Sequence, residues 1–288
     1  MYEKVLIPLD GSEDSEMVLP YVEELARRLH SEVEIVGVYS KHEHTSERLF
    51  KNYLNELVNQ LNSKELRSRA VFLYGNAAEE ILSYLNDSDT SLIGMATRGR
   101  SGITRWVLGS VAEKVLRGSS KPLLLVSEKH SKVRAEEKPM FQRVLVPLDG
   151  SALGATVLPW AKELARRAKA KLFLLYVILS PDKIIGVSHY AISFEKQLIE
   201  ILRKQGREYI TGVATELQRE KIDFQYDLIT GMPADTILDY AKENDIDLIA
   251  MSTHGQTGVG RFILGSVADK VVHVSDLPVL LIRAHHEQ

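Results

Sequence analysis

There is no cysteine anywhere in the 288 residues. That excludes a disulfide framework, thiolate catalysis and a cysteine-ligated metal, and it is compatible with a reducing cytosol. No apolar run approaches the length of a membrane span, and the start, Met1-Tyr2-Glu3-Lys4-Val5, lacks a basic segment followed by a long apolar stretch. The expectation is a cytoplasmic protein. An excess of one charge is missing too: 36 Lys and Arg against 39 Asp and Glu leave a formal net charge of -3, which gives no electrostatic reason to expect nucleic acid or an acidic membrane as a partner. The composition, 44% hydrophobic and 26% charged, is that of a globular protein able to bury sizeable cores, and the length suits two domains.

What is present is one phrase written twice. Ala96-Thr97-Arg98-Gly99, nine residues, then Gly109-Ser110 is matched by Ser252-Thr253-His254-Gly255, nine residues, then Gly265-Ser266. Each copy follows an apolar run and precedes a helical pattern. Glycines at such a junction let the backbone turn sharply and approach a ligand closely. A helix starting at Gly-Ser offers unpaired amides and the positive end of its dipole, which suits a phosphate. Ser110-Val111-Ala112-Glu113 also has the form of a capping box.

Around these phrases the pattern alternates. Short β-branched runs at Val5 to Leu9, Val33 to Tyr39, Ala70 to Tyr74, Ser91 to Ala96 and Pro122 to Val126 read as strands. Helical spacing separates them; Pro20 within the first helical pattern either sits in its first turn or kinks it. Residues 128–142 are charged and polar and form a linker by composition. The pattern then restarts, with Val144 to Ser151 repeating Val5 to Ser12. The offset is 149 - 10 = 139 at the aspartates and 255 - 99 = 156 at the glycines, so the second half has gained 17 residues. The gain falls around Ser180 to Gly212, as a longer loop and helix. The expected organisation is a first domain at 1–127, the linker, a second domain at 143–284 and a tail at 285–288.

Strands alternating with helices predict an α/β fold: two repeated, doubly wound domains, each a parallel sheet flanked by helices. Ligands in such sheets bind beyond the carboxyl ends of the strands, where strand order reverses. Asp10 and Gly99 end strands one and four, so neighbouring strands would place both at one crevice. The apolar last strands, Leu123 to Val126 and Val279 to Ile282, need covering, and the expectation is that the halves pack on each other there around a pseudo-two-fold.

The strand ends Pro8-Leu9-Asp10-Gly11-Ser12 and Pro147-Leu148-Asp149-Gly150-Ser151, the strand-two ends Gly37-Val38 and Tyr176-Val177, and the doubled glycine phrase resemble the universal stress protein family in its tandem form. The resemblance implies five parallel strands per domain in the order 3-2-1-4-5, an adenine nucleotide alpha hydrolase-like fold, and an ATP site with Mg. Carried over by position, Asp10 and Asp149 contact the adenosine part beside Pro8 and Pro147, and the backbone at Val38 and Val177 reads the adenine edge. Gly99 with Gly109, Ser110 and Val111, and Gly255 with Gly265, Ser266 and Val267, wrap ribose and phosphates. Arg98, Arg100 and Arg105 accompany the first loop; His254, Gln256 and Arg261 accompany the second. Where the family signature opens with glycine, this chain has Ala96 and Ser252.

Plainer readings stand beside these. Asp10 and Asp149 are equally suited to capping the helices that follow. The loop arginines suit solvation. His42, His44, His285 and His286 lack the spacing and third ligand of a metal site, and the tyrosines are read as core or surface packing. No Walker loop, dinucleotide fingerprint or nucleophile elbow occurs, and no catalytic residue is singled out. The leading expectation is an ATP-binding, nucleotide-dependent stress-response regulator with an unknown protein partner, an intramolecular pseudo-dimer open to further homodimerisation. A nucleotide-free interaction scaffold and a slow ATPase stay open as alternatives.

Overall fold

The strand that opens each half is apolar on both faces, and it becomes the middle of a parallel sheet. In the computed structural model, which describes residues 1–40, 46–97, 108–127, 140–179, 192–255 and 264–283, β1 (Lys4–Pro8) has Val5, Leu6 and Ile7 fully buried. It runs parallel to β2 (Glu32–Tyr39) on one side and β4 (Leu92–Ala96) on the other, with Val5 opposite both Val33 and Leu92. β3 (Ser68–Tyr74) pairs with β2, and β5 (Leu123–Val126) with β4. The first half therefore has the expected order β3-β2-β1-β4-β5. Its connections carry α1 (Glu13–Glu16), α2 (Leu19–Leu29), α3 (Glu47–Ser63), α4 (Ala77–Asp87) and α5 (Ser110–Gly118).

The second half repeats the scheme. β6 (Arg143–Leu148) lies between β7 (Lys171–Leu179) and β9 (Leu248–Ser252), and β8 (Phe224–Gly231) pairs with β7, all parallel. The helices are α6 (Ala152–Ala155), α7 (Leu158–Ala168), α8 (Ile192–Arg219), α9 (Pro233–Glu243) and α10 (Ser266–Val274). The chain separates into two compact units, one holding β1 to β5 together with the last strand, β10 (Val279–Ile282), the other holding β6 to β9. Within the first unit β10 runs antiparallel to β5, Val279 opposite Leu125 and Leu281 opposite Leu123. That pairing covers the apolar edge at β5.

Local choices follow the sequence logic. Pro20 and Pro159 fall in the first turn of α2 and α7, where a missing N–H is harmless, so neither helix need kink. Of the 17 residues gained by the second half, 28 - 17 = 11 lengthen α8 relative to α3. The apolar reading of β2 missed a charge. Glu34 is 1% exposed and is held by Arg69, by Lys4 at 3.5 Å and by the Tyr84 hydroxyl at 3.0 Å. Its match in the second half is Phe173, and there the Arg143 guanidinium lies 4.5 Å from the ring centroid instead.

Candidate functional site

The carboxyl ends of the central strands carry the predicted residues. In the first unit β1 ends at Pro8, and the following Leu9 amide donates to the Val36 carbonyl at 2.9 Å, which aims the chain over β2 before it turns at Asp10. Asp10 Oδ1 accepts from the Ser12 amide at 3.0 Å and from the Ser12 hydroxyl at 2.6 Å. Ser12 is the residue that caps α1, accepting from the Ser15 amide. The second unit repeats this: Asp149 Oδ1 accepts from the Ser151 amide at 3.0 Å and hydroxyl at 2.7 Å, and Ser151 caps α6 by accepting from the Gly154 amide at 2.8 Å. The aspartates therefore do not cap the helices directly: they orient the serines that cap.

Val38 and Val177 sit half-buried on β2 and β7, in register with Leu73 and Ile229. Ala96 and Ser252 are the last residues of β4 and β9, and both are buried. Just beyond them each glycine loop departs and returns at a fixed point. The Gly109 amide donates to the Thr97 carbonyl at 2.7 Å, and the Gly265 amide to the Thr253 carbonyl at 2.9 Å. Arg98, Gly99, Arg100, Arg105, Gln256 and Arg261 lie outside the described residues, as do His42, His44, His285 and His286.

The capping box predicted at Ser110 is not formed as such. The Gly109 carbonyl accepts from the Glu113 amide at 2.8 Å, so the helix begins one residue earlier, with Gly109 as its cap and Ser110 as its first residue. The physical reason is the bond to Thr97, which fixes Gly109 where the helix must start. A glycine cap has no side chain to accept from the first-turn amides. Gly265 stands in the same relation to Asp269, its carbonyl accepting at 2.9 Å, ahead of Ser266 and Val267.

In the second unit the aspartate and the glycine loop meet. A Cβ added to Gly255 would stand 2.1 Å from Asp149 Oδ2. The intervening His254 is tethered through Nδ1 to the Thr253 hydroxyl at 3.0 Å, and its buried Nε2 has no hydrogen-bond partner among the described residues. Two tyrosines that sequence reading treated as packing belong here. Tyr176 of β7 and Tyr209 of α8 have ring centroids 6.1 Å apart. Burial first, and then the negative charge of Asp149, raise the pKa of both hydroxyls. The signal available in the sequence was the repeat itself, since Tyr176 stands where the first half has Gly37. Among the described residues no group of three or more His, Asp, Glu or Cys is placed to hold a metal, and no helix is long and apolar enough to cross a membrane.

Comparison with known proteins bears on the family and the repeated fold. The family model for the universal stress protein family matches residues 1–127 and again 140–283. A universal stress protein of Methanocaldococcus jannaschii is 28% identical over 145 residues, covering 50% of this chain and 83% of its own length. One from Synechocystis is 31% identical over 151 residues, with 50% of this chain and 98% of that protein covered. A universal stress protein structure from Archaeoglobus fulgidus superposes with a TM-score of 0.72 at 23% identity, covering 98% of this chain and 99% of that one. That likeness extends the fold to both halves.

Proposed function

The chain belongs to the universal stress protein family, and from that membership together with the geometry of the second unit we propose that it binds an adenine nucleotide, ATP with Mg, at the carboxyl ends of its central strands. Each domain, 1–127 and 143–284 about the charged linker 128–142, carries one such site. The protein is a cytoplasmic regulator whose partner interactions change with nucleotide occupancy, not a metabolic enzyme.

The observation that carries this reading is the meeting of Asp149 and Gly255: the aspartate ending β6 lies directly against the loop that leaves β9, where a side chain would collide at 2.1 Å. In an open α/β sheet the crevice between such strand ends is where ligands lie. The residues suit a polar ligand, because the Tyr209 hydroxyl and His254 Nε2 are buried without a partner among the described residues. For Mg, a lone carboxylate is a sparse donor set. The ion would be held chiefly by phosphate oxygens and water, as is usual for nucleotide-bound Mg.

Mass spectrometry of denatured, freshly purified protein is expected to release adenine nucleotide, and calorimetry to show ATP binding. Clean protein that gives no heat with ATP overturns the reading. Gly265→Glu is expected to abolish the second site, since even a Cβ there would lie 3.3 Å from the Thr253 carbonyl oxygen. Gly109→Glu should do the same to the first.

A further inference from the structure

The two units fill the same space with opposite residue choices, and the exchange leaves one hydroxyl without a partner. On β2, a Cβ at Gly37 would stand 2.3 Å from Leu54 Cδ1 and 2.7 Å from the Phe50 ring, both on α3. The matching positions in the second half are 37 + 139 = 176 on the strand and 50 + 156 = 206 on the helix, which are Tyr176 and Gly206. Glycine and ring have changed places, for a Cβ on Gly206 would stand 2.7 Å from Tyr176 Cε1. In both units the ring packs on a tyrosine of the helix. Phe50 stacks on Tyr53 at 6.2 Å between centroids, and Tyr176 lies 6.1 Å from Tyr209, the residue matching Tyr53 at 53 + 156 = 209.

What the two helix tyrosines meet at their hydroxyls differs. Tyr53 donates to Glu16 Oε1 at 2.7 Å. The residue matching Glu16 is Ala155, at 16 + 139 = 155, which brings no acceptor. The Tyr209 hydroxyl is buried with no hydrogen-bond partner among the described residues. Geometry places it toward the aspartate turn: Tyr209 packs on Tyr176, whose hydroxyl would stand 3.4 Å from a Cβ on Gly150, the residue after Asp149, and after burial the Asp149 charge also raises the Tyr209 pKa. Tyr209 thus brings a hydroxyl donor to the strand end where the Asp149 carboxylate lies against Gly255. A donor and an acceptor at one strand end complement two neighbouring sugar hydroxyls, because each hydroxyl can both give and accept a hydrogen bond.

We propose that Tyr209 and Asp149 together read the ribose hydroxyls of a nucleotide in the second unit, Asp149 accepting from one and Tyr209 donating to the other. The first unit, whose Tyr53 is held by Glu16, lacks this reading. The inference rests on the nucleotide-binding function proposed above. Its consequence is that the two sites differ in selectivity, the second preferring ribonucleotides over deoxyribonucleotides more strongly than the first.

The test is calorimetric titration of the full chain carrying Gly109→Glu, which leaves the second site open, with ATP, 2′-deoxy-ATP and 3′-deoxy-ATP. Each deoxynucleotide is expected to bind about five- to tenfold more weakly than ATP, the worth of the one hydrogen bond it lacks. Adding Tyr209→Phe is expected to abolish the preference for ATP over one of them and to leave the preference over the other, which Asp149 sets. Both preferences undiminished in Tyr209→Phe mean that the hydroxyl is merely hydrated; this overturns the proposal and leaves nucleotide binding intact. Failure of the parent chain to bind ATP overturns both. A measurement without ligand, on the chain without Gly109→Glu, separates a binding role from a structural one. Tyr53→Phe should lower the melting midpoint and Tyr209→Phe should not. An equal fall in both shows that the fold itself uses the Tyr209 hydroxyl, and it too overturns the proposal.

Discussion

Gly255 lies against Asp149, so closely that a Cβ on the glycine would stand 2.1 Å from the carboxylate Oδ2 and 3.1 Å from its Cγ. Neither neighbour yields easily, since Asp149 Oδ1 is already engaged by Ser151. Gly255→Ala is therefore expected to destabilise the second unit by about 1–3 kcal/mol, the usual range for forcing one extra carbon into a packed place. Urea denaturation checks the stability. On the proposed function, calorimetry should also find nucleotide affinity at the second site reduced more than tenfold, with the first site unchanged.

Ser151 holds two things at once. Its hydroxyl accepts from the Gly154 amide and donates to Asp149 Oδ1. Ser151→Ala should lose about 1 kcal/mol, as for other helix caps, and should also loosen the aspartate, weakening the second site alone. Ser12→Ala should lower stability similarly and weaken only the first. Equal loss of binding at both sites in either variant would contradict this division.

Gly206 offers a test in which the sign decides. In a helix, Gly→Ala ordinarily stabilises by up to about 1 kcal/mol. Here the new methyl would stand 2.7 Å from the Tyr176 ring, so Gly206→Ala is expected to destabilise by about 1–3 kcal/mol. Combined with Tyr176→Ala, the same change should cost far less, and the double-mutant cycle should show coupling between β7 and α8.

Stability in alkali should carry the mark of Tyr240. Burial, followed by its hydrogen bond to Asp227, pushes this hydroxyl up to about 12. A tyrosine whose folded pKa lies above its unfolded value, about 10, stabilises fully below pH 10, and that contribution is lost as pH rises through 12. Tyr84, Tyr176 and Tyr209 are raised as well and act in the same sense. Denaturation midpoints should fall above pH 10, and Tyr240→Phe should make that fall shallower.

The strands were legible because their signals are local and doubled, whereas their order followed only from the family resemblance. A run such as Val5-Leu6-Ile7 has one stable use, a strand covered on both faces, and its recurrence at Val144-Leu145-Val146 repeats the instruction. The identity of the helix caps was not legible, since Asp10 and Ser12 are both good capping residues and only the turn geometry assigns the task to the serine. Glu34 was hidden for another reason. Its partners Lys4, Arg69 and Tyr84 come from three different elements, and their convergence depends on strand register and on where α4 lies. The exchange of Gly37 and Phe50 for Tyr176 and Gly206 likewise joins positions on a strand and a helix that periodicity does not connect. It becomes readable once the two offsets, 139 and 156, are applied on either side of the inserted residues.

The bond from the Gly109 amide to the Thr97 carbonyl, with its twin from Gly265 to Thr253, also bears on how such a chain can change. Between these anchors each loop has the same length, 109 - 97 - 1 = 265 - 253 - 1 = 11 residues. With departure and return pinned by the same backbone bond in each copy, the residues between them form a cassette of fixed length. Apart from Gly255, which Asp149 keeps without a side chain, its sequence can vary in each copy without rewriting the strand before it or the helix after it. Arg98 of one loop and His254 of the other, at matching positions, show that the two copies already differ there.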